Sequence, residues 1–207
     1  MLYIEPGKLR AALSIAPKDD IRYYLKGVLL ERTANRDSGV GGDIHIVSTD
    51  GHRMFCGVLP LHECTQQGPW QLIVPYDTVK LALASKSKLL FLEALSDGRY
   101  ALEGHIFTPI EGKFPDWRRV KPDTAKPVVA DVQYNWGYIN DACNALRFWY
   151  GSKKANYWFK SVANSTVNTN SAIGCMLGSD MTACVVVMPL REDSITCATP
   201  FNPSSYM

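Results

Sequence analysis

At 207 residues and 23.0 kDa, with 46% hydrophobic and 20% charged residues, the chain can bury a proper core, which excludes a disordered segment and a disulfide-stapled miniprotein. Lys and Arg number 22 against 20 Asp and Glu, a net charge of +2, so no basic tail marks nucleic acid and an anionic partner must be met by local placement of charge. The scattered cysteines (Cys56, Cys64, Cys143, Cys175, Cys184 and Cys197) and the absence of a leader at Met1–Pro6 predict free thiols in a soluble, cytoplasmic chain, and no run approaches the ~18 apolar residues of a membrane span.

One order recurs three times along the chain: an extended run, a turn residue, a helix-spaced segment, then short alternating strands. The first unit opens with a strand at Leu2–Ile4 and a turn at Pro6, and places Leu9, Ala12 and Leu13 on one helix face. Strands follow at Tyr23–Glu31, Asp43–Ser48 and Arg53–Leu59, with Ser38–Gly42 as a flexible hairpin tip. In the second unit, Gln71–Val74 reads as a strand and Pro75 as a turn. Val79, Ala82 and Leu83 form a helical stripe, and Lys88–Leu95, Tyr100–Glu103 and His105–Pro109 alternate as strands, with a tight turn at Ser96–Arg99. The third unit begins near Val128–Gln133, has Asn135 as a helix cap, carries Ile139, Ala142, Cys143 and Leu146 on one face, and returns to strands at Asn156–Val162, Ala172–Leu177 and Thr182–Met188. Lys121–Pro127, with a proline near each end, reads as the linker before it.

One helix per three or four strands, with antiparallel hairpins, predicts an α+β fold whose helices cover one side of a sheet. A doubly wound parallel sheet would need a helix between nearly every pair of strands. Chemistry is poorly supported. Gly39–Gly42 lacks the Lys and Ser/Thr of a phosphate loop and falls in a hairpin. His52, Cys56, His62 and Cys64 match no zinc spacing, and no Ser or Cys has a recognisable base. The reading is therefore of a non-enzyme with no cofactor and no metal.

Four segments, Asp20–Glu31, Ser48–Met54, Gly112–Val120 and Val186–Arg191, resemble signature segments of the bacterial DNA polymerase III beta sliding clamp, in that family's order, and Tyr134–Leu146 resembles the clamp's last helix. The resemblance implies a complete middle-type domain at 1–122, the second half of a last-type domain at 123–191, and a tail at 192–207. A first domain and the other half of the last one have no counterpart. In the family, two units make a domain and six domains close a ring around duplex DNA. Three units per chain would need four chains, and simple head-to-tail repetition breaks the alternation of halves.

A clamp tethers and does no bond chemistry. Its partners, DNA polymerases and other proteins with a short clamp-binding peptide, enter an apolar pocket between domains. Carried over by position, that pocket comprises Leu25, Thr49, Gly51, His52, Arg53, Met54, Pro115, Arg119 and Val120 with Val186, Met188, Pro189, Leu190 and Arg191. Leu, Val, Met and Pro would line the trough, Gly51 would allow close backbone approach, and Arg53, Arg119 and Arg191 would hold peptide carboxylates at the rim. Met54 and Leu190 depart from the family's usual residues while keeping similar bulk. Taken singly, Val185–Met188 would face a core in any α+β protein and Arg118–Arg119 would be a solvated pair; the joint order of the motifs favours the pocket.

Sequence-independent contact with double-stranded DNA is the second implied role, through Lys8, Arg10, Lys18, Arg22, Tyr23 and Tyr24, with Lys80, Lys86 and Lys88 from the second helix. The third helix offers Asn140, Asn144 and Arg147 against Asp141, a weaker set. The resemblance further implies a homo-oligomer, a clamp loader as a partner, and no membrane association. Two other readings stay open: a regulatory decoy that occupies clamp partners or pairs with a host clamp without encircling DNA, and a pseudo-clamp that only oligomerises.

Overall fold

The computed structural model describes residues 2–34, 41–59, 68–121, 132–152, 157–163, 172–178 and 180–190. The expected hairpin tip at Ser38–Val40, most of the Lys121–Pro127 linker, the start of the Val128–Gln133 strand, and everything from Arg191 onward lie outside these residues.

In chain order the first unit is β1 (Leu2–Ile4), α1 (Pro6–Leu13), β2 (Gly27–Ala34), β3 (Gly41–Thr49) and β4 (Arg53–Leu59). The second is β5 (Trp70–Pro75), α2 (Tyr76–Ala82), β6 (Leu90–Ala94), β7 (Tyr100–Leu102) and β8 (His105–Phe107). The third is α3 (Trp136–Tyr150), β9 (Trp158–Ala163), β10 (Ala172–Leu177) and β11 (Ala183–Val187). Pro6 opens α1 because its fixed φ suits the first helical turn and its missing N–H is not needed there. Asn135 caps α3, its side chain accepting from the Gly137 N–H.

All the strands pair antiparallel, in a four-stranded sheet β1-β6-β7-β8 and a seven-stranded sheet β5-β2-β3-β4-β11-β10-β9. The first two units exchange their leading strands: β1 lies against β6, and β5 lies against β2. The third unit joins through β11, whose Cys184 and Val186 sit opposite Cys56 and Met54 of β4. The fold is α+β.

Side-chain alternation divides the large sheet's apolar residues between two cores. On the helix side, Leu30, Ile46, Phe55, Val185 and Met176 pack under α1, α2 and α3. On the other, Leu29, Val47, Met54, Cys56, Ile73, Cys175 and Val186 pack with Leu25, Phe114 and Trp117. Buried on both faces, the strands read as near-continuous apolar runs, as at β11.

Several local expectations are corrected. Tyr23–Leu25 is a 3-10 turn and not the start of a strand: the Leu25 N–H bonds to the Arg22 carbonyl, and the turn drops Leu25 into the second core at 1% exposure. Gly41 and Gly42 belong to β3 and not to the hairpin tip. Val132 and Gln133 are not in a strand; the Gln133 carbonyl instead accepts from the Leu190 N–H. The helices do lie on one face, but the opposite face is also covered, by the irregular segment carrying Phe114 and Trp117. Two aromatic residues outside any periodic run give no such signal in the sequence.

Candidate functional site

The Thr49–Arg53 turn joins β3 to β4. The Thr49 hydroxyl donates to the Arg53 carbonyl at 2.7 Å and accepts from the Gly51 N–H, while the Asp50 carboxylate accepts from the backbone N–H groups of His52 and Arg53. Gly51 has φ +88°, and a Cβ there would lie 2.7 Å from a guanidinium nitrogen of Arg22. Arg22 is itself fixed by Asp20 and by the Asp50 carbonyl, and its hydrogen bonds hold the Asp20 carboxyl at about 2.

The end of β11 reaches this turn, where the Met188 N–H donates to the His52 carbonyl at 2.8 Å. Together they enclose an open cavity of about 50 Å³ lined by Thr49, Gly51, His52, Arg53, Met54, Val120, Val186 and Met188. The Trp117–Arg119 3-10 turn that positions Val120 is docked by the Trp117 indole N–H donating to Glu31 at 2.9 Å and by His45 packing against the Trp117 ring at 4.9 Å. Beneath the cavity, contact with Cys184 and burial push the Cys56 and Cys175 thiols up, so they stay protonated. The described cysteines Cys56, Cys143, Cys175 and Cys184 are free.

Eight of the expected pocket residues therefore line one cavity, and the others are placed differently. Leu25 lies within the core below it. Pro115 and Arg119 are exposed on the Phe114–Val120 segment, and Pro189 and Leu190 continue from Met188, Leu190 at 38% exposure. Arg191 lies outside the described residues. Arg53 does not stand free at the rim: its guanidinium is bonded to both Asp50 and Asp141 and lies 4.6 Å from the centroid of the Tyr138 ring. Tyr138, and Asp141 expected only as a counter-charge on the third helix, sit one helical turn apart on α3, beside the stripe chosen for burial, so their spacing alone does not mark them as part of the cavity wall. Tyr138 also stacks on His52 with ring centroids 5.9 Å apart.

The basic residues expected to meet DNA fall into three groups. Lys18, Lys80, Lys86 and Lys88 are exposed, as is Tyr23, but only Lys80 is on the second helix, because α2 ends at Ala82 and Lys86 and Lys88 lie in the connection to β6; Tyr24 is half-buried beside the second core. Lys8 and Arg10 lie over the Trp149 and Phe148 rings of α3, at 4.2 and 5.8 Å from the centroids, and so bind α1 to α3. Arg22 is held in the turn just described. On α3, Asp141 is engaged by Arg53, and Asn140 and Arg147 are exposed. Among the described residues, no group of three or more His, Cys, Asp or Glu side chains could hold a metal ion, and no helix is long and apolar enough to cross a membrane.

Units that exchange leading strands, helices gathered on one face, and a small cavity where two units meet make up an α+β fold of the kind seen in sliding clamps. In sequence the chain is similar, over part of its length, to bacterial beta sliding clamps. The chain is 35% identical over 109 residues to the beta sliding clamp of Vibrio cholerae, covering 50% of this chain and 27% of that protein. With that of Pseudomonas putida it shares 32% identity over 142 residues, covering 63% and 36%. The crystal structure of the DNA polymerase sliding clamp from Pseudomonas aeruginosa matches 91% of this chain and 66% of its own length, with a TM-score of 0.63 and 19% identity, a likeness of fold. No protein-family model matches the chain. The chain thus spans only part of the length of each relative.

Proposed function

We propose that this chain is a clamp-type tether of DNA replication, without catalytic activity of its own, that holds DNA polymerases and other proteins bearing a short clamp-binding peptide. The peptide enters the cavity between the Thr49–Met54 turn and Val186–Met188. One observation supports this reading: residues far apart in the chain, the Thr49–Met54 turn and the end of β11, enclose a single cavity together with Val120. Met188, at 38% exposure, supplies an adaptable apolar wall, and anchoring a few side chains in such a pocket accounts for most of a peptide's affinity.

In this reading residues 1–122 act as a complete clamp domain, 123–191 as a half-domain and 192–207 as a tail. The protein works in the cytoplasm as a homo-oligomer, served by a clamp loader. The exposed Lys18, Lys80, Lys86 and Lys88 supply sequence-independent phosphate contacts that weaken steeply with salt.

The test is fluorescence anisotropy with a labelled clamp-binding peptide. The parent chain binds; Met188→Ala and Arg53→Ala each weaken binding by at least about tenfold. Failure of the parent chain to bind sinks the pocket. Retention on circular but not on linear DNA tests encirclement separately.

A further inference from the structure

Three thiols meet where the third unit joins the first. Cys56 of β4, Cys184 of β11 and Cys175 of β10 all lie in the second core, on three neighbouring strands, at 3%, 6% and 0% exposure. The Cys184 sulfur accepts hydrogen bonds from both of the other thiols. Cys143 stands apart against the helix-side core, its thiol donating to the Met176 sulfur at 3.5 Å.

Strand register decides which two of the three can be bridged. Cys56 and Cys184 sit directly opposite each other. In the same ladder the Val58 N–H donates to the Thr182 carbonyl and the Met188 N–H to the His52 carbonyl, so by the two-residue alternation Cys56 and Cys184 are a hydrogen-bonded pair as well. The Cα atoms of such a pair lie about 5.5 Å apart, inside the span of about 4.4–6.8 Å that a disulfide covers. Cys175 is opposite Val186 and only diagonal to Cys184, a separation of about 7–8 Å that a disulfide does not reach without backbone movement. Cys56 and Cys175 are two strands apart, roughly 10 Å.

We infer that Cys56 and Cys184 form a redox switch, which a peroxide oxidises to a disulfide that joins the first and third units covalently beneath the cavity. Cys184 is the attacking sulfur: two S–H donors favour its thiolate and lower its pKa, whereas Cys56 and Cys175 are pushed up. The thiolate takes one oxygen of hydrogen peroxide, the O–O bond breaks, and hydroxide leaves to become water with the proton that Cys184 gave up. The Cys56 sulfur then attacks the sulfenic acid; the S–S bond forms, the S–O bond breaks, and the second oxygen leaves as water with the proton of Cys56. Two thiols have lost two electrons and two protons, and one peroxide has become two waters. Met54 and Val186, the next pair on the same face, line the open cavity, which offers a molecule little larger than water its approach. The inference does not depend on peptide binding.

The test treats the reduced, folded full chain with hydrogen peroxide, alkylates the remaining thiols in denaturant, and maps a non-reducing digest by mass spectrometry. A linked Cys56–Cys184 peptide forms and dithiothreitol removes it. The oxidised chain has a higher urea midpoint than the reduced chain, because the link constrains the unfolded state. Cys175→Ser keeps the link. In Cys184→Ser, Cys56 is recovered alkylated, because the attacking sulfur is gone. Circular dichroism matches each variant to the parent. A parent chain whose Cys56 and Cys184 are both recovered alkylated overturns the inference, as do disulfides that all involve other cysteines or an oxidised Cys56 in Cys184→Ser.

Discussion

Asp141 of α3 forms an ion pair with Arg53 of β4, and Asp50 holds the other side of the same guanidinium at 2.8 Å. The third unit's helix is thereby tied to the first unit at the wall of the cavity. The Arg53 side chain is 14% exposed and Asp141 45%, so the two partners carry different weights.

Removing Asp141 should be mild. Half-exposed, it contributes at most about 1 kcal/mol through a screened pair, and Asp141→Ala should lower stability by no more than that. Arg53→Ala leaves the Asp50 carboxylate with only its backbone hydrogen bonds from His52 and Arg53 and removes the stacking on Tyr138, at a cost of about 2–3 kcal/mol. Urea denaturation of the two variants measures the difference; equal losses would contradict this division.

The docking of α3 depends on a missing side chain. A Cβ on Gly57 of β4 would lie 2.4–3.0 Å from the Trp149 ring, which is 2% exposed, packs on Phe55 with centroids 5.4 Å apart, and donates to the Thr182 hydroxyl. With no room for the ring to shift, Gly57→Ala should destabilise the protein by about 1–3 kcal/mol through overpacking. Thermal melting reports the loss, and an unchanged midpoint would mean that α3 is free to move away.

Trp117 anchors the segment that carries Val120 into the cavity. Trp117→Phe keeps most of the buried ring but loses the hydrogen bond to Glu31, costing about 1 kcal/mol, whereas Trp117→Ala should cost about 3–5 kcal/mol. In the proposed reading, the Phe variant keeps most of its peptide affinity and the Ala variant loses it, which the same anisotropy assay measures in conditions where both remain folded.

His45 makes this anchoring sensitive to pH. Burial, then the Arg118 charge, lowers its pKa from the ordinary 6.5, with Lys121 acting in the same direction and Asp43 and Glu31 opposing. Above about pH 7 both folded and unfolded chains hold a neutral His45. As the pH falls through 6.5 the unfolded chain takes up a proton that the folded chain resists, so stability declines until the folded imidazole also titrates. Urea midpoints should therefore fall between about pH 7.5 and 5.5, and His45→Gln should flatten that fall. An equal fall in the variant would place the pH dependence elsewhere.

Much of the local architecture was legible in the residues themselves. Pro6 with Leu9, Ala12 and Leu13 marks α1; Arg53–Leu59 and Ala172–Leu177 coincide with β4 and β10; Asn135 caps α3 as its side chain suggests. These features depend on periods of two and 3.6 residues and on caps within one turn, so a short window contains their whole cause. The turn at Glu103–Gly104 carries no local signal, since Glu103 adopts φ +48°, a conformation unusual for its type, with its carboxylate held by Ser85, Ser87 and the Phe91 N–H from elsewhere in the unit.

By itself, then, the sequence determined the α+β class, the three-unit repeat and the segments from which a cavity could be built. Only the tertiary structure decided that β11 lies beside β4, that Leu25 belongs to the core below the cavity, and that Arg53 is engaged by Asp141. Those outcomes depend on contacts between residues far apart in the chain. Their register is selected by how two buried faces pack at once, and a guanidinium's partner by which carboxylate the fold brings within reach.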